Sequence, residues 1–124
     1  MSKLTAAIID PNEQEKVGHA LRNVRKLLQI KLEDISDLAF ISYGTILYYE
    51  RSGTRTKKNI NYLWMIYTDY FIDKYDRKEI CNDTSNAVVN ELRFIETCLY
   101  GDSTAFDWYE GNLTGLEPGC DIFG

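Results

Sequence analysis

The sequence predicts an all-α protein, with a helical bundle in its first half followed by a helical extension and an irregular acidic tail. Apolar residues recur at steps of three and four along several segments, which is the period of an amphipathic helix. Residues that cap or stop helices, such as Ser42, Gly53 and Gly101, stand at the ends of these segments. The 124 residues suffice for one domain, or for a small domain with an appendage.

The first two predicted helices lie at 13–28 and 32–39. The first follows a turn signal at 10–12 (Asp-Pro-Asn), and its apolar residues form a single stripe: Val17, Ala20, Leu21, Val24, Leu27 and Leu28. The second is short, and its predicted inward residues are Ile35, Leu38 and Ala39. A tight connection at 40–42 leads into the next helix.

The third predicted helix spans 43–51. Ser42 is a suitable N-cap, because its hydroxyl can accept a hydrogen bond from an unpaired backbone N–H of the first turn. Gly53 suits the left-handed turn that ends a helix. Ile46 and Tyr49 are the expected inward residues.

Two longer helices are predicted downstream. The fourth spans 57–71 and has a wide apolar face: Ile60, Leu63, Trp64, Ile66, Tyr67, Tyr70 and Phe71. We interpret Trp64, Tyr67 and Tyr70 of this face as core or as a dimer interface, with a ligand pocket as the alternative. Residues 72–85 are predicted to be a charged loop or a frayed extension, and the fifth helix to span 86–100. Residues 103–124 show no period and are expected to be a tail that packs on the body or binds a partner.

Charge divides the chain into a basic part and an acidic part, although the net charge is −5. Residues 16–60 hold nine basic and four acidic residues, whereas residues 61–124 hold four basic and twelve acidic ones. Such asymmetry is compatible with a polyanion binding to the first part, since phosphate neutralisation supplies most non-specific affinity for DNA. A solvated basic face is the alternative. The expected organisation is an N-terminal arm (1–15), a basic domain (16–72) and an acidic extension (73–124).

The first half resembles the lambda-repressor/Cro-like (Xre) family of helix-turn-helix domains over residues 16–72. The family motif L-R-x-x-R appears as LRNVR at 21–25, V-S-x-x-T-I as ISYGTI at 41–46, and the end of helix three as YERSG at 49–53. An acidic second helix lies between them, and the spacing needs no gap from 21 to 51. In this fold the third helix lies in the major groove and the second braces it.

The resemblance implies a set of DNA-contacting residues, in helix three, before helix two and in the loop after helix three. They are Lys31, Ser42, Tyr43, Gly44, Thr45, Leu47, Tyr48, Arg51, Arg55, Lys57 and Lys58. The basic residues after helix three are expected to contact phosphates, with a solvated loop as the alternative. The tyrosines are expected to contact DNA or, alternatively, a protein. Arg25 is expected to pair with Glu50 or Asp37 inside the domain, and we favour Glu50.

The chain departs from the family pattern at two places. Lys31-Leu32 stands where the family has a serine cap followed by glutamine. Phe40 occupies the position of the turn glycine, where a positive φ would strain it. Helix three also lacks the arginine, glutamine or asparagine that commonly read base edges, so readout would depend on tyrosines, small residues and DNA shape.

Other classes of function find little support in the sequence. The motifs of phosphate-binding loops, dinucleotide sites and zinc proteases do not occur, and the three cysteines have no CxxC spacing, so we expect no enzyme, no cofactor and no metal. No apolar run approaches the ~20 residues that span a membrane. We expect a cytoplasmic protein.

The predicted function is that of a small, dimeric transcriptional regulator bound to operator DNA, with double-stranded DNA as its partner. The C-terminal half is expected to join the subunits. The alternative is a degenerate helix-turn-helix protein that acts by binding another protein through its acidic C-terminal half, as a phage or mobile-element regulator or an inhibitor of a host factor.

Overall fold

The computed structural model describes residues 9–54 and 56–109. These residues form five α-helices and no β-strand, which confirms the predicted all-α class. The helices are α1 (Gln14–Leu27), α2 (Leu32–Ala39), α3 (Tyr43–Ser52), α4 (Lys57–Asp76) and α5 (Asn82–Tyr100). Arg55, the first eight residues and residues 110–124 lie outside the described residues, and so do the predictions that fall on them.

Helix α1 lies at the centre of the bundle, where it packs against both α3 and α5. Its stripe of Val17, Leu21 and Val24 is fully buried. One hydrophobic core includes residues from all five helices, and along the chain it extends from Ile9 to Tyr109. The basic first half and the described part of the acidic second half therefore share a single core.

Helices α4 and α5 are longer than the sequence predicts, because polar residues at their ends obscure the apolar period. α4 continues through 72–76 and α5 begins at Asn82, so the segment 72–85, predicted to be a charged loop or a frayed extension, is mostly helical. Burial explains the extension: Phe71 is fully buried, and Tyr75 packs against Trp108 and Tyr109. These contacts join segments distant in sequence, so the local pattern does not reveal them.

The segment after α5 packs on the body as far as residue 109. Gly101 ends α5 with φ +89°, and the chain then returns so that Phe106 is fully buried against Phe71. The carboxylate of Glu96 accepts hydrogen bonds from the backbone N–H groups of Thr104 and Ala105, which anchors the segment. Burial raises the pKa of Glu96, and these N–H bonds oppose the shift.

Gly18 allows α1 and α3 to approach closely. A Cβ at this position would lie 2.1 Å from the carbonyl oxygen of Tyr49, closer than any real contact. We therefore expect Gly18→Ala to lower the free energy of unfolding by about 1–3 kcal/mol, the usual cost of overpacking, measured by urea denaturation.

Gly44 provides the matched control for Gly18. A Cβ there meets nothing within 4 Å, so Gly44→Ala in helix α3 should raise stability by about 0.5–1 kcal/mol. Similar urea midpoints for the two variants would contradict the steric role of Gly18.

Within the described ranges, no helix has the combination of length and apolar character that crossing a lipid bilayer requires.

Candidate nucleic-acid interface

Helix α3 is held at its N-terminus by the predicted cap. The Ser42 hydroxyl accepts from the backbone N–H of Thr45 at 3.2 Å and donates to its side-chain oxygen at 2.7 Å. The short connection from α2 is fixed in turn, because the Ser36 hydroxyl donates to the carbonyl oxygen of Ile41 at 2.7 Å. The cap predicted at Ser42 is thus confirmed.

The inner face of α3 is anchored on three sides. Ile46 is fully buried, as predicted, and the Tyr49 hydroxyl accepts a hydrogen bond from the Asn59 amide of α4 at 2.7 Å. Glu50 is 1% exposed and receives two bonds from Arg25 of α1: Nε to Oε2 at 2.7 Å and Nη2 to Oε1 at 3.0 Å. The predicted Arg25–Glu50 pair is confirmed, and it is bidentate.

All three guanidinium nitrogens of Arg25 donate hydrogen bonds within the protein. Its remaining terminal nitrogen, Nη1, donates to the carbonyl oxygen of Ile30 at 3.2 Å, so one guanidinium joins α1, the loop before α2, and α3. The hydrogen bond with Glu50 raises the pKa of Arg25, while burial opposes it. The side chain therefore has a structural role, joining three parts of the fold.

The outer face of α3 is exposed to solvent. Tyr43 and Tyr48 are 48% and 60% exposed, and Gly44 and Arg51 are also exposed. Leu47 lies between them, half-buried, and Thr45 is half-buried with its hydroxyl engaged by Ser42. Helical spacing places Tyr43, Leu47 and Arg51 on adjacent turns of one face. We call this set the α3 face: Tyr43, Gly44, Leu47, Tyr48 and Arg51.

Arg22 extends the α3 face, although it is not among the DNA-contacting residues predicted from the sequence. Arg22 and Arg51 are exposed and line one shallow pocket with Leu47, next to the Arg25–Glu50 pair. The Arg25–Glu50 pair is the feature of the sequence from which the position of Arg22 could have been predicted. Since Arg25 contacts Glu50, the preceding turn of α1, which carries Arg22, lies near the next residue of α3, which is Arg51.

Lys57 does not belong to this surface, and its predicted phosphate contact is wrong for this structure. The side chain is 3% exposed, and its ammonium donates to the carbonyl oxygen of Leu99 at 3.0 Å. The last carbonyls of a helix have no partners within the helix, and a cation is favourable there. Lys57 therefore caps the end of α5.

The other basic residues predicted to contact DNA do not form one surface in the structure. Lys31 is exposed at the N-cap of α2, where its side chain makes no capping bond. Lys58 is exposed but lies beside Phe40 and Tyr62, in a groove between the end of α2 and α4. Arg55 lies outside the described residues.

Helix α2 carries acidic residues on its exposed side. Glu33, Asp34 and Asp37 are all exposed, and the first two stand in the first turn. Their charges oppose phosphate binding at this turn. The exposed basic residues of α1, α3 and the start of α2 include Arg22, Lys26, Lys31 and Arg51.

Two departures from the family pattern have structural consequences. Phe40 adopts the left-handed conformation expected at the turn glycine, with φ +55° and ψ +38°, and its side chain is 90% exposed. Leu32, at the position where the resemblance implies glutamine, is half-buried and packs against the core. Leu38, predicted to point inward, is 51% exposed.

The arrangement offers a short helix fixed from behind, an exposed tyrosine-rich face, and two arginines at its edge. Such a surface can contact a groove and its flanking phosphates. Comparisons with protein-family models, with curated proteins and with solved structures found no match to this chain in any of the three.

Proposed function

We propose that this protein is a small DNA-binding transcriptional regulator of the Xre/Cro-like type, which acts as a dimer with α3 in the major groove. The observation that carries the proposal is the rigid mounting of α3. Its inner face is tied to α1 by the Arg25–Glu50 pair, while its outer face is exposed. A recognition helix needs this combination, since its side chains must reach bases without the helix moving.

The α3 face would read DNA mainly through shape and apolar contacts. Tyr43 and Tyr48 offer rings for thymine methyl groups and hydroxyls for phosphates, and Gly44 lets the groove wall approach the backbone. Arg51, Arg22 and Lys31 would contact phosphates on either side. We expect a preference for sequences with suitable groove width and thymine placement, not for guanine read by arginine.

A protein partner is the second candidate, and the acidic side of α2 favours it. Glu33, Asp34 and Asp37 would repel a phosphate backbone but would attract a basic protein surface. The tyrosines of the α3 face also suit a protein interface, where aromatic residues are enriched.

Selection from random duplex DNA at two salt concentrations tests the proposal. We expect enrichment of a defined sequence at low salt and weaker binding at higher salt, because phosphate contacts release counterions. The absence of enrichment at low salt would contradict DNA binding and favour the protein-partner candidate. Tyr48→Glu serves as the control, since it places a carboxylate on the α3 face and should abolish enrichment without disturbing the core.

A further inference from the structure

An apolar surface lies between the end of α2 and the outer side of α4. Four of its side chains are strongly exposed: Leu38 (51%), Phe40 (90%), Tyr62 (41%) and Met65 (49%). Two half-buried residues of α4, Ile66 and Tyr70, continue it. We call this the α2–α4 surface. Single exposed apolar residues are ordinary, but a contiguous group marks an interaction site.

The α2–α4 surface contains two shallow grooves, lined by successive parts of α4. One contains Phe40 and, from α4, Lys58, Asn61, Tyr62 and Met65. The other contains Leu38 and, from α4, Ile66, Asp69, Tyr70 and Asp73. Along α4 the surface therefore has Lys58 at its first end, apolar side chains in the middle, and Asp69 and Asp73 at its last end. There Asp73 also pairs with Arg77 of its own helix at 3.3 Å, and Lys74 lies over the Tyr70 ring, so the acidic charge is partly balanced.

This order of charges makes the surface complementary to itself. If a second copy lies antiparallel with the two-fold axis between Met65 and Ile66, the α4 residues of one groove face those of the other. Lys58 then faces the partner's Asp73, and Tyr62 faces the partner's Asp69. A parallel arrangement would instead place Lys58 beside Lys58 and Asp73 beside Asp73, which costs energy. A two-fold dimer needs such a self-complementary patch.

The geometry of paired helices is compatible with this register. Lys58 lies about 11 Å along α4 from the proposed axis, at 1.5 Å per residue. With a crossing angle of about 20°, as in bundles, the ends of the two helices remain close enough for side chains to meet. Leu38 and Phe40, at the end of α2, would then flank the contact between the two α4 helices.

We propose that the α2–α4 surface binds a second copy of the chain, with the two α4 helices antiparallel. The inference deepens the proposed function, on which its biological purpose rests, by naming the surface that joins two DNA-binding units. Of the two places that the sequence pattern suggested for a dimer interface, the fourth helix and the C-terminal half, it selects the fourth helix, because α5 buries Val88, Val89 and Leu92 inside the monomer.

The conformation of Phe40 agrees with this role. A phenylalanine in the left-handed region is strained, and the ring gains no burial within the monomer. In the dimer the ring becomes buried, which removes its exposed apolar area. Phe40→Gly keeps the backbone conformation without strain, so it should weaken the dimer while the monomer stays folded.

A charge exchange across the seam tests the antiparallel register, with sedimentation equilibrium of the full chain as the measurement. We expect the wild-type chain to dimerise and Lys58→Glu or Asp73→Lys alone to raise the dimer Kd about tenfold, since each change acts twice in a two-fold interface. The double variant Lys58→Glu/Asp73→Lys should return to within about threefold of wild type. A wild-type chain that stays monomeric at ~100 μM, or a double variant no tighter than the singles, would overturn the proposal.

Two further variants separate this inference from DNA binding. Met65→Glu, near the axis, should be folded by circular dichroism and monomeric by sedimentation equilibrium, whereas Tyr48→Glu on the α3 face should dimerise like wild type. A dimer that selects no DNA would end the proposed function and leave the interface standing. A chain that selects DNA as a monomer would overturn the interface, and the dimeric part of the proposed function with it, and leave DNA binding by α3 standing.

Discussion

Replacing Arg25 with methionine should lower the free energy of unfolding by about 3–5 kcal/mol, because it leaves the buried Glu50 carboxylate without its charge partner. Glu50 is 1% exposed, so water cannot replace the two hydrogen bonds that the guanidinium donates. The bond from Arg25 to the carbonyl of Ile30 is removed as well. A change of this size is a large part of the roughly 5–15 kcal/mol typical of a folded domain.

The neighbouring Arg22 gives a matched control on the same helix. Arg22 is exposed, so Arg22→Met should change stability by less than about 0.5 kcal/mol in the same urea titration. The double variant Arg25→Met/Glu50→Leu should regain most of the stability, since an apolar replacement of a buried ion pair is often neutral. Equal midpoints for Arg25→Met and Arg22→Met would show that the pair does not stabilise the fold.

Removing the two arginines beside α3 should weaken binding to the selected duplex about 10–100-fold at low salt, because each substitution removes a phosphate interaction. The variant is Arg22→Ala/Arg51→Ala, and both residues are exposed and line one pocket. The slope of log K against log salt should become shallower by about one for each arginine removed, or about two for the double variant. Fluorescence anisotropy at several salt concentrations measures both quantities.

The control for this experiment changes the net charge equally but elsewhere. Lys16 and Lys78 are exposed bases outside the α3 face, and Lys78 has a positive φ that asparagine tolerates, so Lys16→Ala/Lys78→Asn should keep nearly the wild-type affinity and slope. If the two double variants weaken binding equally, net charge alone drives binding, and the assignment of the α3 face is wrong.

Local sequence signals predict the first three helices to within about one residue, because they depend on neighbours in the chain. The stripe of α1 is buried as its period indicates, and the cap at Ser42 forms as its hydroxyl suggests. The positive φ of Gly53 also follows from residue type. The long-range Arg25–Glu50 pair was also predicted, and the structure contains it.

The site itself is only partly predictable, because adjacent helical residues point in directions about 100° apart. Lys57 and Lys58 look alike in sequence, yet one caps α5 and the other lies on the α2–α4 surface. Arg22 joins the α3 face for a reason visible only once α1 lies against α3.

Residue type and local spacing were sufficient to predict the helical class, the cap at Ser42 and the inward stripe of α1. They were not sufficient to predict the length of α4, the burial of Lys57 or the exposure of Leu38 and Phe40. These properties depend on which distant segment covers a side chain. The aromatic residues at 106–109 pack against the last turns of α4 and so stabilise its extension to residue 76. No described segment covers the α2–α4 surface in the same way.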